Sequence, residues 1–564
     1  MKSLSLKKKI ILSIVSGVLF TAVSFYVTLP AINPLSTEFW VYLTAVIASF
    51  AYPFLFKSSG GGDSKSGKYK KTPHGFEFVV KKGAGVNKLP IILIAIPVAV
   101  MIIGGVVSSE IFNARAYANV ITVNEAVFAE DMKETNEVTN IALMDGESAR
   151  IIGNRTLGSL SEVVSQYEIG ATYTQINYKR TPQKVANLEY ADFFKWINNR
   201  GSGIPGFVMV DPVNNTADYI KLEAPMRYVD SGYFGDDLMR KLRFEYPTKI
   251  FDFISFEVND EGKPFFIVSC MKPQVFPFGA MDAVEAIIFD PCTGESEIYA
   301  IADVPAWVDA VYSGDLAEQK YNWHGTLSGG FINSIIGNKD CKQTTDDYGY
   351  IVIEDDVWYF TGVTSVTSDE SNIGFIISNA RTGEYKYYSV VGAEEYSAMS
   401  AAEGEVQEKG YDASFPSLIN VDGQATYIMV LKDAGGLVKL YALVNVEQYG
   451  IVATGNTQAD AMRAYKELLV QNGIVEKDET DDPIVDALVA TVTVTEIKTY
   501  TVDGNTVFYI KGDDGKYYKG YLKTLEDLIF VSEGDKYTVD YAEGENTEIR
   551  EIIDISKIEE TVAD

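Results

Sequence analysis

Three long apolar stretches lie near the start of the chain. No charged residue occurs from Ile10 to Leu29 or from Phe39 to Phe56, and a third apolar run extends from Leu89 to Ser109. Each has close to the roughly 20 residues that a helix needs to cross the hydrocarbon core of a bilayer. A cleaved signal peptide would explain only the first run. The pattern therefore predicts three transmembrane helices within residues 1–109.

After residue 110 the pattern changes to short alternating strands. Apolar and polar positions alternate between Asp-Gly, Asn-Gly and Thr-Gly turns, as is typical of β-hairpins. Helical periodicity is clearest at 157–169, 235–244, 393–409 and 457–470. The predicted fold class is a membrane-anchored α+β protein, with three N-terminal transmembrane helices, antiparallel β-rich repeated modules and a small C-terminal β-barrel.

The order of these patterns divides the chain into five parts. We predict a membrane part at 1–109, which includes a basic loop at 57–88, and exported modules at 110–250, 251–392 and 393–480, followed by a barrel at 484–564. A charged link at 476–483 marks the last boundary.

One strand–turn–strand pattern recurs three times in the exported part. Its turns open at Asp211, Asp290 and Asn379, and glycine follows in the second and third copies as Gly294 and Gly383. Asp or Asn at the start of a turn caps its own backbone, and glycine adopts the positive φ that such turns require. We interpret these residues as turn-forming, with metal binding by the two aspartates and the asparagine as the alternative.

A looser hairpin covers 426–441, and a helical pattern at 393–409 precedes it; the segments 256–268 and 418–430 also match each other. This order resembles the PepSY-type module of bacterial envelope proteins, in which a helix leads into an antiparallel sheet whose last hairpin reads D-x-x-x-G-x-x-x-x-Y. The resemblance covers residues 250–460. It implies extracytoplasmic modules that bind or inhibit proteins, and it carries over no residue roles.

The tail contains five strand patterns between residues 490 and 555. A short polar stretch at 523–527 lies between the third and fourth strands. Five strands with a short helix after the third resemble the OB-fold, and an SH3-like barrel is the alternative.

Charge is distributed unevenly along the chain. The net charge of −30 divides into +9 for residues 1–107 and −39 for the remainder, and the segment 30–38 has no lysine. The positive-inside rule therefore puts the N-terminus and the loop 57–88 in the cytoplasm, and residues after about 110 outside it. The acidic exported part should repel nucleic acid, so we predict the lipid bilayer and a protein partner, or self-association, as partners.

The residues needed for familiar catalytic sites are scarce. His74 and His324 are the only histidines, and no G-x-S-x-G, Walker or H-E-x-x-H motif occurs. Trp323-His324-Gly325 is predicted to lie in a loop. Of the three cysteines, Cys270 and Cys292 could form a disulfide or remain reduced. We predict no catalytic, cofactor-binding or metal-binding residue and no cofactor.

One dense basic patch stands out in the acidic region. Arg240, Lys241 and Arg243 follow the acidic pair Asp236-Asp237. Acids near the start of a helix and bases near its end complement the helix dipole, which explains the patch locally. The alternative is a docking surface for an acidic partner or a neighbouring subunit.

These observations favour a non-enzymatic role. We expect a membrane-anchored, extracytoplasmic scaffold or protein-interaction protein of the bacterial cell envelope, as one subunit of a larger assembly. One alternative is a carboxylate-dependent cell-wall hydrolase, which requires two carboxyl groups roughly 5–10 Å apart in one cleft, one with a raised pKa. Another is a sensor or transport accessory protein, whose outer domain communicates through its membrane helices.

Overall fold

The computed structural model describes residues 6–55, 70–72, 75–77, 87–135, 143–366, 371–475, 488–502, 505–522, 525–543 and 549–558. They form a mixed α+β structure that is rich in antiparallel sheet, as predicted. Most of the basic loop 57–88 and the charged link 476–483 lie outside the described residues. The chain divides into two units, Met1–Asn472 and Gly473–Asp564.

The α-helices, in chain order, are α1 (Leu6–Thr28), α2 (Thr37–Ala51), α3 (Lys88–Val107), α4 (Glu110–Ala118), α5 (Phe128–Asp131), α6 (Gly146–Gly158), α7 (Ser161–Val164), α8 (Phe193–Asn199), α9 (Leu238–Glu245), α10 (Gly314–Leu327), α11 (Glu395–Glu405) and α12 (Gln458–Gln471).

The strands of the first unit are β1 (Lys70–Thr72), β2 (Gly75–Glu77), β3 (Val123–Ala126), β4 (Tyr167–Ile169), β5 (Thr174–Tyr178), β6 (Thr181–Tyr190), β7 (Ile204–Asp211), β8 (Thr216–Met226), β9 (Ile250–Val258), β10 (Pro264–Val275), β11 (Gly279–Phe289), β12 (Ser296–Ala300), β13 (Lys342–Thr344), β14 (Gly349–Ile353), β15 (Asp356–Ser365), β16 (Ser371–Asn379), β17 (Tyr385–Tyr388), β18 (Gly392–Ala393), β19 (Asp412–Ala413), β20 (Ser417–Val421), β21 (Gln424–Lys432), β22 (Val438–Asn445) and β23 (Val452–Gly455). The second unit has β24 (Leu488–Val502), β25 (Asn505–Gly512), β26 (Tyr517–Tyr521), β27 (Lys536–Glu543) and β28 (Ile549–Lys557).

Two of the described helices, α1 and α3, are long and apolar enough to cross a membrane, with 23 and 20 residues. Most of their large apolar side chains are exposed. The prediction of three such helices is wrong. The second apolar run forms α2, of 15 residues, and a 3₁₀ turn at Tyr52–Phe54. At 1.5 Å per residue α2 extends only about 22 Å, which is less than the roughly 30 Å of a hydrocarbon core.

Helix α2 packs antiparallel to α1. The Tyr42 hydroxyl donates to the carbonyl oxygen of Thr21 at 2.9 Å, and the Ser13 hydroxyl donates to that of Phe50 at 2.6 Å. Later residues of α2 therefore contact earlier residues of α1. Gly17 makes the close approach possible, because a Cβ at this position would overlap the ring of Phe50.

The start of α3 lies beside the end of this hairpin. The backbone N–H of Asn87 donates to the carbonyl oxygen of Leu55 at 2.9 Å. Because α2 returns the chain along α1 before α3 begins, α1 and α3 run in the same direction. Their C-terminal ends consequently lie at the same end of the helix group.

The rest of the first unit repeats one arrangement four times: a helix followed by a four-stranded antiparallel meander. The meanders are β5–β8, β9–β12, β14–β17 and β20–β23, and they follow α6, α9, α10 and α11. Short strands extend three of them, and β3 adds to β17 as a parallel edge.

The four meanders pack in pairs through apolar side chains. The rings of Phe207 and Phe256 lie 5.7 Å apart in the core that joins the first two sheets. Phe375 and Tyr427 occupy a similar position between the third and fourth sheets, with ring centroids 5.8 Å apart. Alternation along each strand supplies the apolar face that each pair buries.

The second unit contains a closed five-stranded barrel with the strand order β24-β25-β26-β28-β27. A 3₁₀ helix, Glu526–Phe530, lies between the third and fourth strands. The prediction of a small C-terminal barrel is confirmed. Its interior contains aromatic and aliphatic side chains, among them Val494, Ile510, Tyr518 and Leu528.

Two local predictions need correction. His324 lies in α10 rather than in a loop, and its Nδ1 is 2.9 Å from the carbonyl oxygen of Ala118. The helix predicted at 157–169 overlaps only the end of α6 and the short α7, because the chain then forms β4 and pairs with β6. In the second case pairing with a distant strand outweighs the local helical pattern.

Candidate functional site

Three hairpin turns meet around a polar cleft of about 340 Å³. They are the β5–β6 turn of the first meander, the β9–β10 turn of the second and the β14–β15 turn of the third. The cleft is lined by Asn177, Lys179, Arg180, Asp260, Ala306, Trp307 and Asp355. It therefore combines two basic side chains, two acidic side chains and one indole.

The β5–β6 turn holds its two basic residues in an unusual backbone conformation. Lys179 has a φ of 53° and Arg180 a φ of 64°, both in the left-handed region. Two-residue hairpin turns of this kind favour Asn-Gly, Asp-Gly or Gly-Gly, because other side chains are strained there. Strained residues of this kind cluster at functional sites, where the side chain is needed despite its cost. Both side chains are exposed.

Trp307 supplies the apolar part of the cleft. Its ring centroid lies 5.1 Å from that of Phe265, at an angle of 43°. A half-buried indole beside charged groups offers a flat surface on which an apolar or planar group of a ligand could rest.

Asn177 joins the cleft to a buried acidic pair. Its backbone N–H donates to Asp309 Oδ2 at 2.8 Å, and its side-chain amide donates to Asp355 Oδ1 at 3.0 Å. Its Oδ1 is buried and has no partner among the residues that the structure describes. A buried acceptor without a donor is costly, so this oxygen is a candidate contact for a donor on a ligand or for a water molecule.

Glu257 and Asp309 form that pair. Glu257 accepts hydrogen bonds from the Asp309 and Ala310 backbone N–H groups at 2.7 and 2.9 Å and from the Ser255 hydroxyl at 2.8 Å. Burial raises the pKa of Glu257 to about 7. Burial and the neighbouring Glu257 raise the pKa of Asp309 as well. Because both side chains are fixed by backbone groups beneath the cleft, this arrangement favours a structural role over proton transfer to a ligand.

A second functional region joins the helix α1 to the second meander. The buried Arg243 donates from Nε to the carbonyl oxygen of Leu29 at 2.9 Å. Two further bonds connect the chain after α1 to the chain before β9: Ile32 N–H to Pro247 O at 2.7 Å, and the Asn33 amide to Thr248 O at 2.9 Å.

Helix α3 is held at the same sheet. The Tyr117 hydroxyl donates to the carbonyl oxygen of Ser108 at 2.8 Å, directly after α3. A Cβ on Gly104 would overlap the ring of Phe278, which lies in the β10–β11 turn. We call the contacts that hold the ends of α1 and α3 to the second meander the helix mount.

The basic patch predicted from the sequence belongs to this mount. The Arg240 guanidinium lies 4.4 Å from the ring centroid of Tyr26 in α1, and its Nη1 donates to Phe234 O at 2.8 Å. Lys241 forms an ion pair of 3.1 Å with Glu245. Arg240 thus contacts α1 of the same chain, and Arg243 contacts the residue that follows α1. Docking of another protein at this patch stays a prediction.

The repeated turn residues lie outside the cleft, at one position of successive meanders. Asp211, Asp290 and Asn379 each accept two backbone N–H groups of their own turn on Oδ1, over 2.7 to 3.1 Å. Gly294 and Gly383 have φ values of 77° and 72°.

These turns connect the third and fourth strands of their meanders, whereas the looser hairpin at 426–441 connects the second and third. The matching turn of the fourth meander opens at Asn445, whose Oδ1 accepts from the Gln448 N–H at 2.7 Å. The repeat did not indicate Asn445 in the sequence, because it follows Asn379 by 66 residues, whereas the earlier turns are 79 and 89 residues apart, and its turn lacks the Asp-x-x-x-Gly pattern.

The three cysteines are free, and the described residues include no group of three His, Cys, Asp or Glu side chains suited to a metal ion. None of the residues that line the cleft was predicted from the sequence as a site residue. The sequence contains a signal for one of the cleft's three turns, namely the polar Lys-Arg pair between two strands of alternating apolar and polar residues at 174–190.

Comparison with known proteins does not assign the chain to a class. No family model matches it, and no curated protein matches it. Among solved structures, it matches a crystal structure of the polysaccharide lyase Uly1 with a TM-score of 0.16 and 7% identity, over 68% of this chain and 87% of that chain. A likeness at this level carries no argument about fold or activity.

Proposed function

We propose that the protein is a membrane-anchored, extracytoplasmic scaffold or protein-interaction protein of the bacterial cell envelope. In this proposal α1 and α3 cross the membrane, and the first three meanders present the polar cleft to a protein partner. The PepSY-like order of helix and hairpins and the OB-like or SH3-like barrel remain part of the proposal as interaction modules.

The helix mount is the observation that carries the proposal. Hydrogen bonds hold the end of α1 to α9 and to the chain before β9, and close packing holds the end of α3 to the β10–β11 turn of the same meander. A cleaved leader would not be bonded to α9 in the mature protein, so the mount supports a retained anchor. Lipid would also cover the apolar side chains that α1 and α3 expose.

The direction of the helices supports an orientation. Because α1 and α3 end on the same side, Lys7, Lys8 and Lys9 near the start of α1 and Lys88 at the start of α3 lie together on the other side. The positive-inside rule puts that lysine-rich side in the cytoplasm. Residues after about 110 are then extracytoplasmic.

The β9–β10 hairpin connects the mount to the cleft. Strand β9 begins at Ile250, two residues after Thr248 in the mount, and its nine residues end just before the turn that contains Asp260. At about 3.3 Å per residue, the strand spans roughly 30 Å. The cleft is therefore displayed well away from the membrane, where a protein partner can reach it.

The same hairpin supports a sensor as the second candidate, because a ligand that moved the cleft end of β9 would act on the mount directly.

The carboxylate-dependent hydrolase has less support. Near the cleft, the two acids with a raised pKa, Glu257 and Asp309, are buried and bonded to backbone groups, whereas the cleft itself carries the exposed Asp260 and Asp355.

Quantitative co-purification from detergent-solubilised membranes tests the proposal. Arg180→Glu reverses one charge in the cleft, and Lys409→Glu makes the same change on an exposed residue that does not line the cleft. We expect Arg180→Glu to lose a protein that the wild type and Lys409→Glu retain. If all three chains retain the same proteins, the cleft is not the partner site.

A further inference from the structure

Exposed apolar side chains surround the ends of α1 and α3 on the exported part of the chain. They are Ile111, Phe112, Phe244, Phe276, Ile332 and Ile336, and we call them the collar. Ile332, Phe276 and Ile336 are the most exposed, at 75%, 76% and 81%, and Phe112 follows at 68%. Soluble surfaces rarely group large apolar side chains in this way unless another apolar surface covers them.

Phe244 and Phe276, two residues of the collar, lie beside the last turns of α1 and α3. The Phe244 ring lies 5.7 Å from that of Phe25, near the end of α1. Phe276 precedes the Pro277-Phe278 pair that packs against Gly104, near the end of α3. Gly104 lies three residues before the end of α3, which is about 5 Å along the helix axis.

The remaining residues of the collar lie close to the end of α3. Ile111 and Phe112 are in α4, and only two residues separate this helix from α3. Phe331, next to Ile332, packs against the cluster that contains Tyr117 and Val275. Tyr117 is bonded to the residue after α3, so this cluster belongs to the mount.

The polar headgroup regions occupy roughly 5–7 Å on each side of the hydrocarbon core. If α1 and α3 cross that core, side chains within one turn of their ends lie in the headgroup region or at its inner boundary. Aromatic and branched apolar side chains favour this region, where α1 and α2 also place Tyr26 and Trp40.

We propose that the membrane-proximal face of the exported part is seated in the outer leaflet through the collar, rather than held above it. The occupant of this face is lipid, because the collar is continuous with the exposed apolar surfaces of α1 and α3. This inference rests on the proposed membrane anchoring. It adds that the exported part has one fixed height and tilt on the bilayer, which sets the distance from the membrane to the cleft.

Site-directed spin labelling of the full chain in phosphatidylcholine vesicles tests the collar. Single cysteines are introduced as Phe276→Cys and Phe112→Cys, both at exposed positions. Ile96→Cys, near the middle of α3, reports the lipid interior, and Asp260→Cys, at the other end of β10, reports water. The parent chain, labelled in the same way, gives the background from Cys292, which is half-buried.

The readout is the accessibility of each label to oxygen, which concentrates in lipid, and to a water-soluble nickel complex. We expect the labels at 276 and 112 to shift from the aqueous ratio at 260 toward the lipid ratio at 96. If they match position 260 while position 96 is in lipid, the collar proposal fails and the membrane anchor stands. If position 96 is also aqueous, both proposals fail.

Discussion

Arg243 Nε donates a hydrogen bond of 2.9 Å to the carbonyl oxygen of Leu29, across 214 residues of sequence. The last carbonyl groups of a helix have no partner within the helix, and a cation near them is favourable. The same guanidinium also donates to Lys249 O, so one buried side chain joins the end of α1 to the start of the second meander.

Removal of this side chain should loosen the mount. We expect Arg243→Met to lower the free energy of unfolding by about 2–4 kcal/mol, because it leaves buried carbonyl groups without donors. Lys241→Met is the control, since a partly exposed ion pair contributes less than about 1 kcal/mol. Denaturant unfolding of the detergent-solubilised protein measures both, and equal losses would argue against a special role for Arg243.

Two adjacent glycines test the contact between α3 and the β10–β11 turn. A Cβ on Gly104 would overlap Phe278, whereas a Cβ on Gly105 has no atom within 4 Å. We therefore expect Gly104→Ala to lower the unfolding free energy by about 1–3 kcal/mol through overpacking. Gly105→Ala should leave it unchanged or slightly higher. Identical melting curves for the two variants would show that α3 is not packed against this turn.

The repeated turns make a similar comparison possible within the meanders. Gly294 and Gly423 share a φ of 77°, but only Gly294 has close neighbours, in the ring of Tyr228. Alanine in the left-handed region costs about 1–2 kcal/mol at either site, and overlap with Tyr228 adds about 1 kcal/mol or more at Gly294. Differential scanning fluorimetry should rank Gly294→Ala below Gly423→Ala; the reverse order would contradict the packing of this turn.

Burial of Glu395 should make stability depend on pH. Burial raises the pKa of this carboxyl from 4.5 to about 7, although it accepts hydrogen bonds from the Gly362 N–H and the Thr345 hydroxyl. The folded protein thus binds more protons than the unfolded chain between these values. Its contribution is fully present below about pH 4.5, and on the order of 3 kcal/mol is lost as pH rises through 7.

Glu395→Gln should remove this share of the pH dependence. We expect the denaturant midpoint of the wild type to fall more between pH 5 and pH 8 than that of the variant. Glu405→Gln, at an exposed position of the same helix, is the matched control. Parallel pH profiles for the wild type and Glu395→Gln would mean that Glu395 does not titrate in this range.

The elements with strong local patterns were predictable, and those that depend on distant pairing were not. The barrel strands alternate clearly, and α12 has regular apolar spacing, so both were found near their observed positions. Helix α10 was missed because its buried residues are mixed with polar ones. Its N-cap, Ser313, which accepts from the Leu316 N–H, was the signal for its start.

Most of the candidate site could not be predicted from the sequence. Lys179, Asp260 and Asp355 come from three turns that only the packing of three meanders brings together. The basic patch was visible as a charge cluster, but its contact with α1 was not, since the hydrogen bond from Arg243 reaches a backbone oxygen. Backbone partners leave no pattern in the sequence.

The direction of α1 and α3 makes one measurement decisive for the orientation. A thiol reagent that does not cross membranes is applied to intact cells that produce Gly62→Cys, in the basic loop, or Asp260→Cys, in the cleft, with the parent chain as control. We predict that position 260 is labelled in intact cells and position 62 only after lysis. Labelling of position 62 in intact cells, or protection of position 260, would contradict the proposed anchoring and its orientation.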